Sequence, residues 1–389
     1  MNTVFICGYF NFPRGGAASN YVQSLAKVFQ SLNKKVIIIS NRNLDVNLDG
    51  NEYQGIQVED VRLREDKLGH YMDFNFLIGR YYKRKLSKFS IDSNDIFIAY
   101  SRDPLILNAI LHIAKSSGSK TGVCLVEWFE KKDYNRWFIN IEYWKSKISF
   151  YHTNLRFDYI FPISTYIEDY YERKKCRTFR MPCLIDTLEY GYKEKIVDKK
   201  ILFIFPGNGK MKDALSETIQ AFSMLSDNEA KNLEFHICGV NELAYKIIQE
   251  NNLEEYLGNR IIVHDWMPYE ELVDLYNSTH FMVLARNICQ MTRANFPSKI
   301  PETLSYGIIP ICSKVGDYTK LYLKDGENSI LMDGCDSKTI LSAIRKALNL
   351  SHEELRKLSD NARRTAKEEF DYRVWTFKLK ELFLHDGDI

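Results

Sequence analysis

Short runs of β-branched and aromatic residues alternate along the chain with segments of helical periodicity, and this alternation limits the fold more than any other feature. The first runs lie at residues 4–7, 35–39 and 95–100, and a helical pattern from Ala17 to Leu32 separates the first two. Strands that alternate with helices form parallel sheets. Because the runs are continuously apolar, we predict strands that are covered by helices on both faces.

The alternation occurs in two series. The first continues through residues 122–126 and 159–163; the second comprises runs at 200–205, 233–238, 260–263, 280–284 and 308–312. We therefore predict an α/β fold of two Rossmann-like, doubly wound parallel-sheet domains that face a central cleft, where open α/β sheets bind ligands. The predicted domains are residues 1–190 and 191–371, joined within the polar stretch Asp186–Lys200, with a last helix at about 372–389 that is able to pack back on the first domain.

Composition excludes several classes of protein. The 389 residues are 45% hydrophobic and include only 19 glycines and 9 prolines, so the chain is expected to bury real cores and not to be disordered or a small binding module. No apolar run approaches the roughly 18 residues that span a bilayer, and the start reads as a strand, which predicts a cytosolic protein. The eight cysteines contain no C-x-x-C pair, which is typical of reduced thiols and not of a metal site.

Two loops between a strand and a helix carry glycines. Gly15 and Gly16 follow the first strand, and Gly207 begins a loop in the second domain that also holds Lys210 and Lys212. Glycines at a helix start allow backbone N–H groups to approach a phosphate, and lysines neutralise it. Plain tight turns and solvent-exposed lysines are the alternative interpretations. The first loop lacks the G-x-G-x-x-G spacing of dinucleotide-binding proteins, so an NAD site is disfavoured.

The segment from Asn295 to Ile311 is the most informative. It predicts a short helix that begins after Pro297 and runs into a glycine and another apolar strand. Ser298 and Lys299 at the helix start suit an anion, and the Glu302 carboxylate can accept two hydrogen bonds from a diol such as a ribose. These residues together suit a nucleotide sugar.

On these residues the chain resembles the glycosyltransferases of family 4 and its relatives, which have the two-Rossmann GT-B fold. The resemblance covers nearly the whole chain and is most specific in the C-terminal part. It implies a nucleotide-diphosphate sugar held by the C-terminal domain, an acceptor held by the N-terminal domain, no metal or other cofactor, and retention of anomeric configuration. The motifs that carry it are Gly15-Gly16, residues 163–171, Gly207 to Asp213, residues 266–272, Pro297 through Glu302 to Gly307, Gly316-Asp317 and residues 325–328.

The resemblance also implies residue roles. Glu302 resembles the second acid of the family's Glu, seven residues, Glu motif, which binds the ribose; Lys212, or alternatively Lys210, resembles the lysine at the diphosphate. Gly15-Gly16 resemble the loop that closes over the diphosphate. The sequence departs from the family pattern at three places. Ala294 stands where the first acid belongs, the expected arginine is missing from the glycine loop of the second domain, and the expected N-terminal histidine is missing after Tyr100.

Three residues at strand ends are candidates for catalysis. Asp103 and Glu127 follow successive strands of the first domain, and either is able to orient or deprotonate an acceptor hydroxyl. Arg286 follows a strand of the second domain and is able to neutralise charge on the leaving diphosphate. The alternatives are ordinary loop acids and a surface salt bridge.

Charge is distributed unevenly. Residues 1–200 hold 31 Lys and Arg against 23 Asp and Glu, whereas the remaining residues hold 22 against 28. Residues 79–89 contain five basic residues and no acid, and residues 134–157 contain eight aromatic residues with four basic ones. This combination suits an anionic membrane surface, and solvated lysines over a buried aromatic stripe are the alternative. No nucleic-acid-binding motif is present, so a nucleic-acid partner is not expected.

The sequence thus predicts a metal-independent glycosyltransferase that acts on a nucleotide sugar and a glycan or lipid-linked acceptor. We expect a cytoplasmic enzyme of bacterial surface polysaccharide synthesis, peripheral on the inner face of the membrane if the basic and aromatic stretches bind lipid. The alternatives are another GT-B enzyme, such as a nucleotide-sugar 2-epimerase, and a catalytically silent GT-B protein that binds nucleotide or serves as a scaffold.

Overall fold

The chain divides into two compact units. In this computed structural model the described residues are 2–189, 192, 194–195, 200–207, 212–265 and 267–385. The first unit comprises Met1–Ile185 with Tyr372–Ile389, and the second comprises Asp186–Asp371. Lys210 and part of the predicted linker lie outside the described residues.

The first unit is built on a seven-stranded sheet. Its strands are β1 (Thr3–Phe12), β2 (Lys35–Arg42), β3 (Glu52–Tyr53), β4 (Ile56–Asp60), β5 (Ile96–Ala99), β6 (Lys120–Leu125) and β7 (Tyr159–Pro162). Their order is β3-β4-β2-β1-β5-β6-β7, and all neighbours are parallel except β3, which is antiparallel to β4. The chain order reverses between β1 and β5, so the topological switch point lies beside the end of β1.

The second unit is built on a six-stranded parallel sheet. Its strands are β8 (Ile201–Pro206), β9 (Leu233–Cys238), β10 (Ile261–Val263), β11 (Phe281–Leu284), β12 (Ile309–Ser313) and β13 (Ile330–Met332). They follow the order β10-β9-β8-β11-β12-β13, the arrangement of dinucleotide-binding Rossmann folds. Phe203 and Phe281 stack in its core with ring centroids 5.2 Å apart. The prediction of two doubly wound, parallel-sheet domains is confirmed.

Helices connect the strands in both units. Those described are α1 (Ala17–Ser31), α2 (Lys67–Met72), α3 (Ile78–Leu86), α4 (Pro104–Ser117), α5 (Ile141–Ile148), α6 (Thr165–Glu172), α7 (Leu215–Ser223), α8 (Asp227–Ala230), α9 (Asn241–Glu250), α10 (Tyr269–Ser278), α11 (Gln290–Ala294), α12 (Lys299–Ser305), α13 (Ser337–Leu348), α14 (His352–Thr365) and α15 (Tyr372–His385). Helix α15 packs against α1 in the first unit. The ring of Trp375 on α15 also lies 6.2 Å from the ring of Phe179, in the chain that follows α6. A π-helical turn at Ser149–Thr153 extends α5.

The lengths of the helices and the state of the cysteines bear on the expectations drawn from composition. Within the described residues, no helix is long and apolar enough to cross a bilayer. All eight cysteines are free thiols, and five of them are buried: Cys7, Cys124, Cys183, Cys238 and Cys312.

Candidate functional site

A cluster of buried charges lies at the carboxyl ends of β8 and β11 in the second unit. Arg286 Nε donates to Asp213 Oδ1 at 2.6 Å, and Lys299 Nζ donates to Asp213 Oδ2 at 3.1 Å. Arg286 Nη1 also donates to Asn295 Oδ1 at 3.2 Å. Arg286 and Asp213 are buried, and the Lys299 side chain is only 15% exposed. Two cations therefore share one carboxylate, which leaves the cluster with a net positive charge.

The pKa values reflect this sharing. Burial alone would raise the pKa of Asp213, but the neighbouring Lys299 and Arg286 outweigh it and hold that pKa below its usual value. Burial lowers the pKa of Lys299, which Asp213 opposes, while Arg286 and Lys212 lower it further. The ammonium of Lys212 thus lies within electrostatic reach of Lys299. A buried excess of positive charge stabilises an anion that enters the site.

Gly207 gives the Lys299 side chain its space. Its φ is +117°, and a Cβ atom added there would lie 2.9 Å from Lys299 Nζ. The Gly207 N–H donates to the Cys238 carbonyl at 3.0 Å, which fixes the start of the loop against β9. A larger residue at this position would have to adopt a strained backbone and displace the ammonium.

Helix α12 carries the other predicted residues. Pro297 is buried just before it, and Ser298 and Lys299 at its start are half-buried. Glu302 lies one turn further along, and burial raises the pKa of its carboxyl to about 7, with Lys299 opposing that rise. Ala294, at the end of α11, is fully buried. The structure therefore brings Gly207, Lys299 and Arg286 together, with Glu302 on the helix that presents Lys299.

The glycine loop of the first unit has a steric cause. A Cβ atom on Gly15 would lie 2.0 Å from the Asn11 carbonyl oxygen, so only glycine fits there. Gly16 has a φ of +92°, and its carbonyl oxygen accepts from Asn20 N at 3.0 Å at the start of α1. Both glycines thus suit the backbone geometry of the turn itself. A role in binding phosphate stays a prediction.

Asp103 and Glu127 line the same cavity of the first unit, which has a volume of about 320 Å³. Asp103 Oδ1 accepts from Leu105 N at 2.8 Å and thereby caps α4, and its Oδ2 accepts from Lys145 Nζ at 2.6 Å. Glu127 makes a looser ion pair, at 3.9 Å, with Arg102. Both Asp103 oxygens therefore have close partners in the protein.

Sequence reasoning missed Asp213 and Lys145 as site residues. Each holds a predicted candidate in place, but Asp213 lies 73 residues from Arg286 and Lys145 lies 42 residues from Asp103. No spacing in the sequence signals these pairs. The only available signal for Asp213 was its position directly after Lys212, at the end of a loop already expected to meet an anion.

Clusters of metal ligands are not found in the part of the chain that the structure describes: no three or more His, Cys, Asp or Glu side chains lie close enough to hold an ion. His236 Nδ1 and His264 Nε2 lie 2.8 Å apart and form a hydrogen bond with each other.

Comparison with known proteins finds a family likeness for the second unit. Residues 188–365 match the family described as "Glycosyl transferases group 1". This segment, slightly less than half of the chain, is therefore similar to group 1 glycosyl transferases. Among curated proteins, none matches the sequence significantly.

Solved structures extend the likeness from this segment to the whole chain. Sucrose-phosphate synthase from Thermosynechococcus elongatus has a TM-score of 0.75 at 13% identity, covering 99% of both chains. A glycosyltransferase from Rickettsia africae has a TM-score of 0.70 at 13% identity, covering 98% of this chain and 97% of the other. Anabaena HepE in complex with UDP-glucose has a TM-score of 0.70 at 12% identity, covering 99% of this chain and all of the other. The chain thus has the GT-B fold.

Proposed function

We propose that the protein transfers a sugar from a nucleoside-diphosphate sugar to a glycan or lipid-linked acceptor. The observation that carries this proposal is the buried cluster of Arg286, Asp213 and Lys299, with Glu302 one helical turn beyond Lys299. This cluster lies in the segment that is similar to group 1 glycosyl transferases, where the strand ends of a Rossmann fold bind ligands. That HepE binds UDP-glucose with the same fold supports a nucleotide sugar as donor.

The roles of the residues follow from charge. Cleavage of the bond from the anomeric carbon to the diphosphate leaves negative charge on the departing oxygens, and fixed cations lower the barrier by stabilising it. In our proposal Lys299 and Arg286 supply these cations, with Lys212 beside them. Glu302 accepts hydrogen bonds from the ribose hydroxyls, and Glu127 orients or deprotonates the acceptor. We further propose that transfer needs no metal and retains the anomeric configuration.

A role in bacterial surface polysaccharide synthesis belongs to the same proposal. Two of the structures with this fold are named for such a role: the lipopolysaccharide outer core galactosyltransferase WaaB and WaaG, a glycosyltransferase involved in lipopolysaccharide biosynthesis. A panel of membrane-derived oligosaccharide acceptors, incubated with several nucleotide sugars and analysed by mass spectrometry, identifies the acceptor.

A thermal-shift titration with UDP-, GDP- and ADP-sugars tests the donor. A ligand at a hundred times its dissociation constant stabilises the native state by about 2.7 kcal/mol, so the correct donor should raise the melting temperature clearly. Replacing Lys299 with methionine keeps most of the apolar part of the side chain and removes its charge. We expect Lys299→Met to weaken donor binding by roughly 1.5–3 kcal/mol, the contribution of a hydrogen bond to a charged group.

The matched control is Lys246→Met, because the Lys246 side chain is 68% exposed and pairs only with Glu250 on α9 among its described contacts. Equal donor affinity in Lys299→Met and Lys246→Met would refute the assignment of the cluster to the diphosphate. The fully buried, apolar Ala294 favours the catalytically silent alternative. Donor binding without any transfer or epimerisation, across all the sugars, would support that alternative.

We also propose that the first unit attaches to an anionic membrane. Four basic residues of residues 79–89 are exposed: Arg80, Lys83, Arg84 and Lys88. Two other segments, which border one groove, expose apolar side chains. The first segment exposes Leu68, Tyr71 and Phe76, and the second exposes Phe138, Ile139, Trp144 and Ile148. Exposed cations beside exposed aromatic rings suit lipid headgroups. Tyr143, Phe150 and Phe157 are instead core residues, so the alternative interpretation holds for part of the aromatic stretch.

Flotation with vesicles of phosphatidylglycerol and phosphatidylcholine tests the membrane proposal. We expect Phe138→Ser with Ile139→Ser to reduce binding roughly tenfold or more, because each side chain contributes about 1.5–3 kcal/mol when fully buried. Phe377→Ser, at an equally exposed phenylalanine of α15, should have no effect. Binding that is the same to vesicles of pure phosphatidylcholine would rule out the role of the basic residues.

A further inference from the structure

Asn295 lies beside the charged cluster of the second unit, in the short loop between α11 and α12. It is only 9% exposed. Its main-chain N–H donates to the Met291 carbonyl at 3.1 Å, and its Oδ1 accepts from Arg286 Nη1 at 3.2 Å. Because a guanidinium only donates, the amide oxygen and not the amide nitrogen must face Arg286. Both the backbone and the amide plane of Asn295 are therefore fixed.

This orientation leaves the amide nitrogen of Asn295 as a donor that nothing satisfies. Among the described residues Nδ2 has no hydrogen-bond partner, yet it is not completely enclosed by protein atoms. The Tyr318 hydroxyl, which lies within electrostatic reach of Arg286, is in contrast both unpartnered and enclosed. A largely buried donor without a partner is costly, and a ligand that accepts its hydrogen bond removes that cost.

Arg286 contributes a second donor of the same kind. Its Nε donates to Asp213 Oδ1 at 2.6 Å and its Nη1 to Asn295 Oδ1 at 3.2 Å. In the part of the chain that the structure describes, Nη2 has no hydrogen-bond partner, and this atom is not completely enclosed either. The two N–H groups of Nη2 are thus left for a ligand, on a side chain that Asp213 and Asn295 hold in place.

The side-chain acceptors of the same cluster are already used. The two Asp213 oxygens accept from Arg286 and Lys299, and Asn295 Oδ1 accepts from Arg286. The preceding residue, Ala294, is fully buried and has an apolar side chain. A sugar hydroxyl beside these donors would find no remaining side-chain acceptor in the cluster for its own proton. A carboxylate has no proton to place, and its hydrogen bonds to such donors are charge-assisted.

We propose that Asn295 and Arg286 select a nucleotide sugar whose transferred sugar carries a carboxylate, that is, a uronic acid. The carboxylate accepts from Asn295 Nδ2 and Arg286 Nη2, next to the diphosphate that the cations of the cluster bind. The assignment of the carboxylate to a donor sugar rests on the proposed function. The preference for a carboxylate over a hydroxyl rests on the donors of the cluster alone.

Calorimetric titration with pairs of nucleotide sugars tests this proposal. The two members of each pair share one nucleoside diphosphate and differ only at C6 of the sugar. The pairs are UDP-glucose with UDP-glucuronic acid, UDP-galactose with UDP-galacturonic acid, and GDP-mannose with GDP-mannuronic acid. We expect the uronate of at least one pair to bind roughly tenfold or more tightly than its hexose. Effects on the diphosphate are common to both members and cancel in this ratio of affinities.

Asn295→Asp replaces the free donor with a second carboxylate oxygen and keeps the shape of the side chain. It still accepts from Arg286 but repels a uronate, so the ratio should fall roughly tenfold or more. The matched control is Asn361→Asp. Asn361 Oδ1 also accepts from an arginine, Arg364 Nη2 at 2.8 Å, but its Nδ2 already donates to the Glu327 carbonyl at 2.7 Å. This control should keep the wild-type ratio.

The outcomes separate this proposal from the proposed function. A uronate that binds no more tightly than its hexose in every pair, or a ratio unchanged in Asn295→Asp, would overturn the carboxylate and leave the transferase intact. Tighter binding of UDP-N-acetylglucosamine than of UDP-glucose and UDP-glucuronic acid would assign the donors to an amide carbonyl and also overturn it. No binding of any nucleotide sugar or of UDP would overturn both proposals. If Asn295→Asp loses native circular dichroism, Asn295→Ala provides the same comparison, because it removes the donor without adding charge.

Discussion

Replacing Asp213 with alanine is expected to destabilise the second unit by about 3–5 kcal/mol, which is the cost of removing one partner from a buried ion pair. The loss arises because Arg286 and Lys299 would stay buried beside each other with no carboxylate between them. Urea unfolding monitored by circular dichroism measures the change. Faster hydrogen exchange in peptides of β8 and β11 would locate it in this unit.

An exposed ion pair provides the control for Asp213→Ala. Glu250→Ala breaks a 3.7 Å pair between side chains that are 61% and 68% exposed, and it should cost no more than about 1 kcal/mol. A diphosphate that occupies the site should also compensate for the missing carboxylate, so UDP is expected to stabilise Asp213→Ala more than the wild type. Equal stability of the two alanine variants would contradict the role of Asp213, and weaker stabilisation by UDP would contradict its place beside the diphosphate.

The strands that the sequence reveals are those that are buried on both faces. Ile37 to Ile39 in β2 and Phe281 to Leu284 in β11 form unbroken apolar runs, and the structure places both inside their sheets. The missed strands lack this signal. β4 alternates buried Ile56 and Val58 with more exposed polar residues, and β3 and β13 have only two and three residues. Pairing with neighbours, and not local sequence, makes them strands.

The site was predictable only where its residues are close in sequence. Lys299 and Glu302 lie one turn apart on α12, so a short motif shows them together. Asp213 reaches the same cluster from another loop, and Lys145 reaches Asp103 from another helix. Their roles depend on which strands are adjacent in the sheet. Strand order is a tertiary property that a single sequence does not display, so the residues that hold the candidates in place were not found.

Donor binding is expected to weaken roughly tenfold between pH 8 and pH 6, because burial raises the pKa of Glu302 to about 7. The ribose hydroxyls donate to the ionised carboxylate, so binding favours the deprotonated form. At pH 8 most Glu302 is already ionised, whereas at pH 6 the free protein must release a proton before it binds. A nucleotide sugar is the proper ligand, since both of its phosphates are esterified and neither titrates in this range. Isothermal titration calorimetry at several pH values measures the affinity.

Two variants identify the titrating group. Glu302→Gln retains a hydrogen-bond acceptor but cannot ionise, so its affinity should be lower than that of the wild type at pH 8 and constant across the range. His264→Asn should retain the wild-type dependence of affinity on pH, because burial lowers the pKa of His264 and because its ring pairs with His236 and not with the charged cluster. A slope that persists in Glu302→Gln would assign the pH dependence to another group and remove the evidence that this carboxylate meets the ribose. Calorimetry in buffers of different ionisation enthalpy independently counts the protons that binding releases. Wild-type binding near pH 6 should release close to one proton, and binding to Glu302→Gln should release none.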